Sequence, residues 1–174
     1  MKYTIHGPFE IRKQTNGLVD LSASSKKDFW ATVHEEEAFL PSACGCYLFA
    51  VRAAKGIKPW YVGLAAKQSF ESECFASHKI NIYNEALASK KGTPLLFLIA
   101  KRTKKDKFVK PGKNGHSDSA YLETIVIGAA LEKNPALMNI KNTKFLREMC
   151  VPCVINTPQR ASTSSERQFK KAIK

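Results

Sequence analysis

Gly45-Cys-Tyr-Leu-Phe-Ala-Val-Arg52, followed by Trp60-Tyr-Val-Gly-Leu64, is the stretch that decides the fold. The first run is apolar on both faces and rich in β-formers, the signature of a covered strand. Lys55-Gly56-Ile57-Lys58-Pro59 carries turn residues. The second run is again a strand, so the two predict an antiparallel hairpin. Side chains alternate along each strand, and a suitable register brings Tyr47 and Tyr61 to one face.

Working toward the C-terminus, Glu71 to Ser89 reads as a helix ended by Gly92 and Pro94. Cys74, His78, Ile82 and Ala86 recur every four residues as a candidate buried row. Phe75, Lys79 and Tyr83 form the row beside it. Leu95 to Ala100 is a short continuous apolar run, expected as a buried strand. A loop over 101–116 follows, then a helix from about Ser119 to Glu132 with Asp118 or Ser117 as cap. Leu122, Ile125, Val126 and Ala129 form its apolar stripe, and Glu123 lies beside it. Asn134-Pro135 breaks this helix. Val151 to Ile155 reads as a strand, and the tail from Ser162 as disordered or a short basic helix.

Working toward the N-terminus, residues 1–43 read as an extension. Thr4-Ile5 and Phe9 to Ile11 suggest short strands. Lys26 to Phe39 suggests a helix with Ser25 as its cap and Glu35-Glu36-Glu37 on the wet face. Three parts result: an extension over 1–43, a core over 44–156 and a basic tail over 157–174. The expected class is α/β (α+β), a small mixed sheet that starts with a hairpin and is flanked by helices.

Composition bounds the function. The chain has 174 residues and a net charge of +13, with 44% hydrophobic residues. That length suits one domain with a real core. No apolar run reaches the ~20 residues of a membrane helix. No secretory signal is visible at Met1 to Ile11, so a cytoplasmic protein with reduced thiols is expected. Cys44 and Cys46 with Cys150 and Cys153 could form a four-thiolate zinc site. Small apolar filling beside strands is the commoner role of such cysteines.

The charge is concentrated. Lys101 to Lys113 carries +6 and Arg160 to Lys174 carries +4. Both segments hold Gly, Pro or Ser, the marks of long-reaching loops. A polyanionic partner is expected, with Lys104, Lys105 and Lys107 as phosphate contacts. His6, His34 and His116 show no partner pattern.

The tripeptides Gly45-Cys46-Tyr47 and Tyr61-Val62-Gly63 resemble the paired motifs of the GIY-YIG nuclease superfamily. The order that follows is similar too: a helix with a cation and an aromatic four residues apart (Lys79, Tyr83), a strand, a helix with one Glu (Glu123), and a turn with an Asn (Asn139). The resemblance covers about residues 44–143. It implies a metal-dependent endonuclease acting on nucleic acid, most of all DNA. By that resemblance Glu123 would hold Mg²⁺ or Mn²⁺. Tyr47 and Tyr61 would frame the attacking water, Lys79 would neutralise phosphate charge, Tyr83 would position water or substrate, and Asn139 would brace the site. The family usually has Arg where Lys79 stands, and Lys lacks its two-pronged fit to phosphate. Lys67 and His78 compete with Lys79 as substrate-binding groups. A homodimer is compatible with a one-site nuclease. The alternative is a nucleic-acid-binding module on the same fold that no longer cuts.

Overall fold

The computed structural model describes residues 1–54, 56–88, 91–141 and 143–173. Four strands form one sheet: β1 (Lys2–Glu10), β2 (Gly45–Ala53), β3 (Gly56–Ala65) and β4 (Thr93–Arg102), in the order β1-β4-β2-β3. The class is α+β, with six helices among the described residues: α1 (Ala23–Glu36), α2 (Phe70–Glu73), α3 (Ser77–Leu87), α4 (Ser117–Lys133), α5 (Thr143–Glu148) and α6 (Ser164–Ile173). Every pairing among the four strands is antiparallel, where a mixed sheet was expected.

β2 lies between β3 and β4, which explains its apolar character on both faces. Tyr47 pairs with Gly63 on one side and with Leu98 on the other. One face of the sheet buries Tyr47, Phe49, Leu96 and Leu98 against α1, α2 and α3. There Phe9, Phe29, Trp30 and Phe75 meet edge to face, with centroids 5.0–6.1 Å apart. Each such buried side chain contributes about 1.5–3 kcal/mol. The other face carries α4, which packs Ile127, Ala130 and Leu131 on Val62 and Leu137.

Residues 1–43 are built into this sheet rather than appended to it. β1 pairs with β4 from Lys2↔Arg102 to Glu10↔Leu95. The Tyr3 hydroxyl donates to Asp118 Oδ2 at 2.9 Å, and Lys101 Nζ donates to Asp118 Oδ1 at 2.7 Å. β1, β4 and the start of α4 are thereby tied together. α1 begins earlier than expected: Ser22 is the cap, its hydroxyl accepting from the Ser25 N–H, and Ser25 itself is buried.

Three further expectations change. The helix over 71–89 is two, because the chain turns at Cys74–Ala76. Ser89, and Lys55 of the expected turn, lie outside the described residues. Val151 and Ile155 bridge to each other in a tight turn and do not form a strand of the sheet. The 101–116 segment is not a free loop. Thr103 and Lys107 close a turn, Val109 N–H donates to Lys101, Cys44 N–H to Val109, and Gly112 N–H to Ala66. These bonds strap it across the end of the sheet. The tail from Ser164 is helical, with Arg167, Lys170 and Lys171 on α6. No helix among the described residues is long and apolar enough to cross a membrane.

Candidate active site

Both motif glycines are steric requirements. A Cβ on Gly63 would lie 2.1 Å from Cζ of the Tyr47 ring, so the Tyr47 side chain covers a position that only glycine leaves open. A Cβ on Gly45 would lie 2.0 Å from the Ile99 carbonyl oxygen, so β2 approaches β4 closely there. The register thus seats Tyr47 flat over Gly63 and brings its ring within 6.3 Å of Tyr61.

Tyr61, Lys79, Glu123 and Asn139 line one cleft of ≈ 320 Å³, with Leu64, Ile82 and Ile127 among its apolar walls. β3 supplies Tyr61, α3 supplies Lys79, α4 supplies Glu123, and the segment after α4 supplies Asn139. Lys79 is 9% exposed. Its Nζ donates to Tyr61 Oη at 2.6 Å, sits 4.9 Å from the Tyr61 ring centre, and is 3.5 Å from Glu73 Oε1. Asn139 bonds both polar groups of Val62: its Nδ2 donates to the carbonyl at 2.7 Å, and its Oδ1 accepts from the N–H at 2.9 Å. β3 is an edge strand, and Asn139 serves it as a substitute neighbour at the residue beside Tyr61.

Glu123 makes no hydrogen bond or ion pair among the described residues. Burial raises its carboxyl above the usual carboxylate range, against the pull of Lys141 and Lys79, while Glu73 adds to the rise. An acceptor-only group held half-buried without a donor is receptive to a cation.

Tyr47 and Tyr83 do not reach the cleft. Tyr47 is fully buried and its hydroxyl has no hydrogen-bond partner among the described residues. Burial drives its phenol well above the ordinary value, and the same holds for Tyr83. Tyr83 donates to the Cys74 carbonyl at 3.0 Å and stacks on Phe49 at 4.1 Å. It braces the turn between α2 and α3 and forms the floor under Tyr61.

The competing cations separate. Once the helix breaks at 74–76, α3 turns Lys79, Ile80, Tyr83 and Leu87 inward. His78, expected on the apolar row, is exposed and lines no part of the cleft. Lys67 is exposed in a neighbouring cleft with His116 and Asn114. Lys104, Lys105 and Lys107 sit on the turn beyond β4, where Lys2 pairs with Asp106 at 2.8 Å. Tyr61 and Leu96 both stand opposite Phe49. From Leu96 to Arg102 is about 20 Å along the strand, so that basic turn is remote from Tyr61.

The cysteines do not form the zinc cluster considered above. Cys44, just before β2, and Cys46 within it are buried, and burial pushes their thiols up to about 11 and about 12. Cys46 donates to the Ser119 carbonyl. Cys150 and Cys153 lie in the C-terminal turn, and the described residues contain no group of three or more His, Cys, Asp or Glu placed to hold a metal ion.

Two residues of the site escaped the sequence. Lys141 lines the cleft and faces Glu123. Glu73 pairs with Lys79 at a six-residue separation, which no continuous helix face would bring together. Only the break between α2 and α3 does so. No protein-family model matches the chain, and no curated protein or solved structure matches it either.

Proposed function

We propose that the chain is a metal-dependent phosphodiesterase acting on DNA, with the Tyr61–Lys79–Glu123–Asn139 cleft as its active site. The observation that carries this reading is convergence. Four residues singled out by the resemblance to GIY-YIG nucleases come from four separate segments and line one cleft. The expected succession of hairpin, helix, strand and helix supports it as well.

The fit of a divalent metal rests on Glu123. Mg²⁺ takes oxygen ligands and is often held by one or two carboxylates together with water and substrate phosphate oxygens. One unpaired, half-buried carboxylate meets that need only when a phosphate completes the shell. Glu123 would therefore hold Mg²⁺ or Mn²⁺ together with the substrate. When bound, the metal supplies charge stabilisation at the phosphate and the leaving oxygen.

The chain's own groups do the rest. The Tyr61 oxygen already accepts from Lys79, so its developing negative charge is stabilised. Once its own proton has passed to bulk water, the resulting phenolate can accept a proton from an attacking water in the cleft. The Lys79 ammonium also faces charge growing on the phosphate. Asn139 keeps β3, and with it Tyr61, at a fixed height. Leu64, Ile82 and Ile127 give the cleft apolar walls, beside which each of these interactions is stronger than in bulk water.

The test is cleavage of supercoiled, single-stranded and branched DNA with Mg²⁺, with Mn²⁺ and with chelator. Cleavage is expected to need metal and to fall at least about 100-fold in Glu123→Ala, the loss typical of a removed electrostatic group. One observation favours the non-cutting module as a second reading: Lys79 is already engaged by Glu73. Binding without cleavage of any substrate would establish that second reading.

A further inference from the structure

Glu73 has no part in the roles above, yet it is the acid nearest the central cation. Its side chain is 18% exposed and that of Lys79 11%. A pair this sheltered is coupled more strongly than a surface ion pair. The three groups form a chain: carboxylate, ammonium, phenol, with links of 3.5 and 2.6 Å. The Lys79 stem is long and has several rotamers, and the Tyr61 ring holds its head from one side only. Glu73 is the second hold. It stands on α2, a short helix whose start is fixed by the Ser69 hydroxyl accepting from the Ser72 N–H. Tyr83 secures the turn from α2 to α3 through the Cys74 carbonyl.

We propose that Glu73 is a positioning residue: it keeps the Lys79 ammonium aimed at the Tyr61 oxygen, where it stabilises the phenolate that takes the proton of the attacking water. The task given to Tyr61 rests on the phosphodiesterase reading; the coupling of the three side chains does not. Several charged and titratable groups stand near this chain, and Lys67 and His116 line the neighbouring cleft together with Glu73. Tyr47 approaches from β2, Tyr83 from α3, Cys74 from the α2–α3 turn, and Glu123 with Lys141 from α4 and the segment after it.

Two effects of Glu73→Gln have opposite signs, which makes the proposal decidable. If Glu73 acted on Tyr61 only through space, removing its negative charge would ease ionisation and lower the Tyr61 pKa. If it positions Lys79, its removal frees the ammonium and raises the Tyr61 pKa. The experiment titrates Tyr61 in the full chain by NMR of ring-labelled tyrosine, assigned with Tyr61→Phe. A rise is expected in Glu73→Gln and in Lys79→Met, a smaller rise in Glu73→Asp, and no further rise from Glu73→Gln in the Lys79→Met background. Glu73→Asp keeps the charge, so it decides the matter should the Gln variant unfold. Where cleavage is measurable, the rising limb of the pH–rate profile moves to higher pH in Glu73→Gln with KM unchanged. A fall or no change in the Tyr61 pKa overturns the proposal. The expected rise in a protein that cuts nothing upholds the positioning role and removes the phosphodiesterase.

Discussion

Glu123 carries a cost to folding at the wall of the candidate cleft. Its pKa is raised, so the folded state binds a proton more readily than the unfolded chain does. The charged form is therefore the penalised one. The penalty is absent below the unfolded carboxylate range and fully present above the folded pKa. Stability contributed at this position falls as pH rises between those limits. Glu123→Gln is expected to raise the melting temperature at pH 7 and to lose that advantage as pH drops toward 4, while cleavage is lost at both. Thermal melts across that range check the sign. A destabilised Gln variant at pH 7 would mean the carboxylate has a favourable partner. Gly63 illustrates a different residue-scale constraint, since the Tyr47 ring occupies the space of its missing side chain.

At the scale of elements, the two helices that line the cleft are rotated relative to their expected faces. In α4 the stripe Leu122, Ile125, Val126, Ala129 looked continuous. The buried positions are Ser119, Ile127, Ala130 and Leu131, and Ile125 is 53% exposed. The helix is apolar nearly all round, so its pattern does not select a face. Packing against Val62 and Leu137 selects it. Ile127→Ala is expected to cost about 2–5 kcal/mol, and Ile125→Ala less than about 0.5 kcal/mol. Urea denaturation of both variants checks this, and equal losses would place α4 in the other rotation. In α3 the same ambiguity decides which residues reach the cleft. A continuous helix made Cys74 and His78 the buried row, whereas the break after Glu73 turns Lys79 and Tyr83 inward.

At the scale of the molecule, the positive charge and the candidate active site are separated. The basic turn at Lys104, Lys105 and Lys107 follows β4, beside the β1 edge, while the cleft lies on the β3 edge. A nucleic acid touching both would lie across the end of the sheet. Neutralising the three lysines to Gln is expected to weaken DNA binding and to reduce the salt slope by up to about 3. The single-turnover cleavage rate at saturating protein should stay unchanged, because none of the three lines the cleft. A large fall in that rate would place the turn at the reacting phosphate. Filter binding over a salt series, with single-turnover kinetics beside it, reads both quantities. The apolar face left open beside α4 is a second molecular feature: Ile5, Tyr121 and Ile125 are all exposed there.

The hairpin, the buried strand at 95–100 and the Glu123 helix were legible in the residues, because local β-propensity, turn residues and caps act over a few positions. The resemblance to the GIY-YIG motifs singled out Tyr47, Tyr61, Lys79, Tyr83, Glu123 and Asn139, and four of these six line one cleft. Tertiary structure decided what spacing does not carry. It joined β1 to β4 across some ninety residues, because the exposed edge of β4 needed a partner. It buried Tyr47 and left Tyr61 at the cleft, because β2 is central and β3 is an edge, and it buried Tyr83 through the inward face of α3. It brought Glu73 to Lys79 through a break that no periodicity announces. Sequence governs what each short segment can form. Which face it turns inward, and which distant residue it meets, depends on burying the largest apolar area while leaving no charge unpaired without reason.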